Sequence, residues 1–212
     1  MYMSIIRVDQ NKCLMRRDIK NNEEFIHKIL LGALDYRSRT DTQLLYQKNK
    51  NIICVYSNSP FNSDALEMRH FYVEKTMVID DLYNKISDGD FITLHFRTIP
   101  FRKQMRPNQK NSVRYHLGRK EDRINWVVNK LNQKGVTVCF NESDLPLVVE
   151  HARTPIYVKH SPHQKNTGEF EVNAYDYVVS VKVDSADTLR TLLQEGLGAY
   201  KSYGCGLILV GA

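Results

Sequence analysis

The apolar residues of this chain change period in the same order twice, and that rhythm limits the folds open to it more than any other feature. Tyr2 to Val8 alternates as a half-buried strand does. Asn21-Asn22-Glu23-Glu24 then supplies an N-cap and acidic first-turn residues, which suit the positive end of a helix dipole. Phe25, Ile26, Ile29, Leu30, Ala33 and Leu34 follow at helical spacing, predicting a helix from about Asn22 to Leu34. Thr42 to Gln47 and Asn51 to Tyr56 read as strands around the turn Lys48-Asn49-Lys50, and Ser57 to Ser63 as a loop. Phe71 to Ile79 reads as a strand, Asp80 to Ile86 as a short helix, and Asp90 to Ile99 as a strand stopped by Pro100.

The second half repeats the pattern. Val113 to Leu117 is strand-like and leads to a helix from Glu121 to Gln133, with Gly135 suited to the residue after its cap. Val136 to Phe140, Ile156 to Lys159 and Phe170 to Val183 read as strands, with a polar loop from Ser161 to Gly168. A helix from Ser185 to Glu195 ends at Gly196, and a last strand covers Leu207 to Val210. Each half thus approximates β-α-β-β-α-β. The expected fold is α+β, two tandem ferredoxin-like domains at 1–100 and 112–212 joined by a basic connector at 101–111. A length of 212 residues fits two small domains.

Charge narrows the partners. From His95 to Arg123 there are nine basic residues and two acids, while the whole chain carries only +6. All of the excess positive charge therefore lies in one central stretch. A polyanion partner is one reading, with nucleic acid the commonest, and a solvated basic linker is the other. Arg97, Arg102, Lys103, Arg106, Arg114, Arg119 and Lys120 are the RNA-contact candidates. The four cysteines, Cys13, Cys54, Cys139 and Cys205, form no Cys-x-x-Cys pair, which argues against zinc or a disulfide framework and fits a reducing cytoplasm. No apolar run approaches the roughly 18 residues of a membrane helix, and the polar turn after Val8 does not fit a signal peptide. His160 and His163 flank Pro162 without a carboxylate or cysteine pattern, so a surface loop is expected there rather than a metal site. His70, His95, His116 and His151 match no motif.

The most specific segment is Gly196-Leu197-Gly198-Ala199-Tyr200-Lys201-Ser202-Tyr203-Gly204-Cys205-Gly206, followed by Leu207 to Val210. It lies between a helix and a strand, the reverse of a Rossmann phosphate loop, and lacks the Gly-Lys-Ser/Thr of a P-loop. Four glycines around a lysine allow backbone N–H groups to approach a phosphodiester. A tight turn that needs the glycines only for positive φ is the alternative. Gly198, Lys201, Ser202 and Gly204 are the candidates here.

This pattern resembles the glycine-rich loop of CRISPR repeat-processing endoribonucleases, and more narrowly the CasE family of type I-E Cascade. The start Met1-Tyr2-Met3-Ser4 resembles that family's first strand. Leu94 to Lys103 resembles its arginine-bearing strand and basic turn, and Arg123-Ile124-Asn125-Trp126-Val127 its helix with a central tryptophan. The resemblance implies metal-independent, cofactor-free cleavage of a stem-loop in CRISPR repeat RNA. The ribose 2′-OH would be the nucleophile, leaving a 2′,3′-cyclic phosphate and a 5′-OH. The crRNA would stay bound through its 3′ hairpin, with other Cascade subunits, backbone and Cas5-type, as partners and no membrane. It also implies a catalytic histidine on the first helix, where His27 is the only one, with Lys28 beside it to stabilise the transition state. The family's Tyr-x-x-His is here Glu24-x-x-His27. Glu24 can orient His27 from one turn away, and Tyr36 is a candidate replacement phenol. A Cascade subunit that holds the hairpin but cuts poorly, and an unrelated ferredoxin-like metabolic enzyme, are the rival readings.

Overall fold

The computed structural model describes residues 1–9, 12, 23–34, 43–105, 112–159 and 169–211. Arg106, Tyr36, His160, His163 and Cys13 lie outside them. In the first unit, β1 (Tyr2–Val8) buries Ser4, Ile6 and Val8 on one face, as its alternation predicts. Helix α1 (Glu23–Gly32) buries Ile26, Ile29 and Leu30, one stripe at helical spacing. The strands β2 (Leu44–Asn49) and β3 (Ile52–Ser57) form a hairpin. A second helix, α2 (Ser63–Glu67), begins at Asn62, whose side chain accepts from the Ala65 N–H. It starts at the last residue of the expected loop and covers residues to which the sequence assigns no element, because five residues with only Leu66 buried show no period. Then β4 (Phe71–Val78) pairs with β1, giving the antiparallel order β2-β3-β1-β4.

That sheet is complete at Val78, and this corrects the expected boundary at residue 100. After the short helix α3 (Asp80–Asn84), β5 (Phe91–Thr98) pairs with strands from the end of the chain. Its partners are β10 (Glu169–Val183) and β11 (Ile208–Gly211). The second unit runs β5, α4 (Lys120–Asn132), β8 (Val136–Val138), β10, α5 (Ala186–Glu195) and β11. Its sheet order, β11-β5-β10-β8, has the same connectivity as the first, so both units are ferredoxin-like. Strand β9 (Val148–Lys159) continues along the β10 edge that β8 occupies.

Of the basic connector, residues 101–105 are described and form β6 (Phe101–Met105), which pairs with β7 (Ser112–His116) in a separate two-stranded sheet between β5 and α4. The Leu117 N–H donates to the Pro100 carbonyl and closes its base. One core joins the units: Leu45, Tyr56, Ile79 and Tyr83 pack with Leu94, Phe96, Leu131, Val179 and Leu193. A second core lies under α1 and α2, around Ile6, Ile26, Leu30, Tyr46 and Phe71.

Candidate active site and basic cleft

Helix α1 places His27 half-buried, with its ring stacked on Tyr46 at 6.1 Å between centroids and 23° between planes. Tyr46 is fully buried on β2. Its hydroxyl faces the Glu23 carbonyl at 2.5 Å, at the start of α1, and the Ser202 carbonyl at 3.1 Å, in the glycine segment. One phenol thus holds the first turn of α1 against the C-terminal loop. Burial, reinforced by the Glu23 carboxyl, holds the Tyr46 phenol well above its ordinary range, so it stays a donor. Burial also raises the Glu23 carboxyl, against the pull of Lys48 and Arg97. Lys28 is exposed and pairs with Glu24 at 2.9 Å, one turn back. The acid that stands where the family has tyrosine is thus engaged with the neighbouring lysine.

Arg97 does not face solvent, which corrects its reading as an RNA contact. It lies directly opposite Asp176 in the β5–β10 ladder, and its guanidinium donates to both carboxylate oxygens at 2.8 and 3.0 Å. It also donates to the Lys48 carbonyl at 2.9 Å, across to the first unit. Arg123, counted in the same basic stretch, is likewise buried. It forms two hydrogen bonds to Glu150 and lies over the Tyr175 ring at 4.0 Å. Both arginines are structural ties, because strand and helix periodicity turns them inward.

The other described basic residues of this stretch are on the surface. Arg102, Lys103, Arg114, Arg119 and Lys120 are exposed. Lys103 and Arg114 stand directly opposite each other in the hairpin, a placement that repels. Arg119 stands at the N-cap position of α4 without capping it by a side-chain hydrogen bond, and Lys120 is the first helical residue, so both sit at the positive end of that helix dipole. The Lys103–Arg114 pair is relieved by an anion, whereas at the α4 N-terminus Glu121 and Asp122 already stand in the first turn. Arg114 lies over Phe101 at 5.1 Å and over Tyr200 at 5.5 Å, while Arg102 lies over Tyr115 at 6.0 Å. The hairpin therefore presents cations held on aromatic faces.

The glycine segment is held by contacts inside the protein. Gly198 has φ of +85°, and a Cβ there would stand 2.7 Å from Thr98 Oγ1 and 3.4 Å from Trp126. Gly204 has φ of +74°, and a Cβ would meet Tyr46 at 3.2 Å and Glu23 at 3.3 Å. Positive φ and close packing against its own chain require these glycines, which is the turn alternative of the sequence reading. Lys201 is also partly committed: its Nζ donates to the Glu195 carbonyl at the end of α5. Burial depresses its pKa. Ser202 offers its backbone carbonyl to Tyr46.

Between the hairpin, α4 and the glycine segment lies a cleft of about 540 Å³. Lys103, Arg114 and Lys201 line it, together with Lys130, Lys134, Phe101 and Trp126. Lys130 and Lys134 escaped the sequence reading, although their i, i+4 spacing places them on one side of α4 and its end. Tyr46 also escaped it, since a tyrosine in a buried strand carries no signal beyond core. The structure links His27 to Ser202 only through Tyr46 and, separately, brings Lys103 and Arg114 to one cleft with Lys201 and Gly198. It places Arg102 on the hairpin's other face.

A family model described as CRISPR associated protein matches residues 1–211. No curated protein sequence matches the chain. Among solved structures the chain is similar to the CRISPR endoribonuclease Cse3 bound to a 19-nucleotide RNA, with a TM-score of 0.82, 18% identity and full coverage of both chains. It is similar to Thermus thermophilus Cse3 bound to an RNA representing a pre-cleavage complex, with a TM-score of 0.79, 16% identity, and 100% and 98% of the two chains covered. A chain of a CRISPR RNA-guided surveillance complex gives a TM-score of 0.71 at 19% identity, with 99% of each chain covered. At such identities the likeness is one of fold.

Proposed function

The chain belongs to the CRISPR associated protein family, and we propose that within it this protein is a metal-independent endoribonuclease that binds and cuts the stem-loop of CRISPR repeat RNA. The observation that carries the reading is the contact chain from His27 through Tyr46 to Ser202, which joins the first helix to the glycine segment. The imidazole is half-buried, near the exposed Lys28, and held by a ring that cannot rotate freely in a packed core.

In the proposed reaction the ribose 2′-OH attacks the adjacent phosphorus and loses its proton, the P–O5′ bond breaks, and the 5′-oxygen takes up a proton. The products are a 2′,3′-cyclic phosphate and a 5′-OH. His27 serves one of the two proton transfers, a role typically worth about 10²–10⁴ in rate. Lys28 offsets the negative charge that gathers on the phosphate oxygens. The exposed cations of the hairpin and of the α4 N-terminus hold the stem by its phosphates, because the deep A-form major groove hides the base edges. After cutting, the protein stays on the crRNA 3′ hairpin as a Cascade subunit. The Cascade assignment draws on the likeness to Cse3 and to a surveillance-complex chain.

Incubation with the cognate repeat RNA in EDTA tests this. Cleavage with a cyclic-phosphate end is expected. Tight binding without cleavage would instead make the chain a hairpin-holding subunit, a reading favoured by the Glu24 pairing with Lys28. Neither binding nor cleavage would overturn both.

A further inference from the structure

The cleft combines two chemistries that a duplex stem does not need together. One is charge. Lys103 and Arg114 enter from the hairpin, Lys130 from α4 and Lys134 from just beyond it, against the single acid Glu195. Lys134 is paired with Glu195 at 3.1 Å, which leaves a clear positive excess. The other is aromatic surface. Phe101 and Trp126 stand 6.2 Å apart at 43°, and both line the cleft while half-buried. An RNA stem presents phosphates and 2′-OH groups, but its base faces are hidden in the stack. A stem therefore offers Trp126 no base face to stack on. Unpaired nucleotides expose a π-face as well as a phosphate, and sites for them pair a cationic groove with aromatic side chains. The size agrees, since about 540 Å³ is the scale of pockets that take one small ligand rather than a helix.

We propose that the cleft between the β6–β7 hairpin, α4 and the glycine segment seats an unpaired nucleotide of the RNA. Its base lies against Trp126, since Arg114 already covers a face of Phe101, and its phosphates lie on Lys103 and Lys130. The proposal rests on the RNA-binding reading above and adds to it a single-strand subsite beside the stem. Gly198 has a direct part: it lets the loop close to within contact of Trp126, which fixes the ring as one wall.

Trp126 is the only tryptophan, so its fluorescence reports on the cleft alone. Three RNA probes are titrated into the full-length protein: tetraadenylate, an abasic ribose–phosphate tetramer, and a blunt-ended repeat hairpin with no unpaired flank. Tetraadenylate is expected to quench Trp126 saturably. The abasic tetramer should bind at least about tenfold more weakly, since it lacks the stacking contribution. Lys130→Gln should weaken tetraadenylate binding and lower the slope of log K against log[salt] by about 0.7. Equal affinity for the abasic tetramer would reduce the cleft to a charge patch and overturn the proposal. Blockage of tetraadenylate quenching by the blunt hairpin would put the stem there and overturn it too. If tetraadenylate fails to quench while the full repeat RNA is still bound and cut, the subsite falls and the endoribonuclease reading stands. If the full repeat RNA is neither bound nor cut, that reading falls by itself.

Discussion

At the scale of single residues, His27 and Tyr46 have separable parts. His27→Ala is expected to slow cleavage by about 10²–10⁴ while hairpin affinity stays close to that of the native chain, because the exposed cations are untouched. Single-turnover cleavage and filter binding on the same preparation check this, and undiminished cleavage would remove His27 from the reaction. Tyr46→Phe keeps the ring beneath the imidazole but drops the hydroxyl between the Glu23 and Ser202 carbonyls. One lost buried hydrogen bond costs about 0.5–1.5 kcal/mol. The variant should fold, bind RNA normally and cut more slowly, since α1 loses its tie to the glycine segment. A rate equal to the native one would show that stacking alone positions the histidine. No signal in the chain could have exposed Tyr46, because its role comes from a partner 156 residues away.

At the scale of elements, the hairpin and the glycine segment carry opposite expectations. Lys103→Ala removes one of two like charges that face each other across β6 and β7, so thermal stability should hold or rise slightly, whereas Arg114→Ala also gives up the guanidinium contacts with Phe101 and Tyr200 and should bring no gain. If both touch phosphate, each change should lower the salt slope of hairpin binding by about 0.7–0.9. Arg102→Ala, on the other face, tests whether the stem also reaches that side, and an unchanged slope would leave Arg102 in solvent. In contrast, Gly198→Val should act first on the fold. It forces a β-branched residue to positive φ and drives its Cβ into Thr98, at a cost on the order of 1–3 kcal/mol or more. A drop in melting temperature checks it, and a variant as stable as the native chain would refute the close packing. The glycine pattern was legible as a turn with positive φ. What the glycines pack against was not, because Thr98, Trp126, Tyr46 and Glu23 come from four different elements.

At the scale of the whole molecule, the two units share a core and a buried ionic tie. Leu45 and Tyr56 of the first sheet lie in the same cluster as Leu94 and Val179 of the second, and Arg97 reaches Lys48 across the divide. Calorimetry should therefore give one cooperative unfolding transition, and two resolved transitions would mean that the units fold independently. Asp176→Ala leaves the Arg97 guanidinium without its carboxylate, and because Asp176 is itself part-exposed and the Lys48 carbonyl remains, the loss should be on the order of 1–3 kcal/mol, read as a lower melting temperature. Arg97 was read as an RNA contact because composition counts charges without knowing which way a strand points them. Opposite Asp176, the same arginine joins the sheets.

The twice-repeated rhythm of strands and helices was local information. Period, caps and turn residues act over a few positions, so the sequence alone determined the α+β class, the helices under His27 and Trp126, and the turn character of the glycine segment. Where one unit stops and the next begins was not local. Strand Phe91–Thr98 has the same alternation whichever sheet it joins. Only its pairing with β10 and β11 assigned it to the second unit, and only pairing with β7 made residues 101–105 of the basic connector a strand. The same holds for charge. Every lysine and arginine was countable in the chain, but whether one is bolted inside, like Arg97 and Arg123, or left facing an anion, like Lys103 and Arg114, depends on what burial places opposite it. An ion leaves water only when a partner offsets its desolvation, and those partners lie 79 residues away for Arg97 and 27 for Arg123.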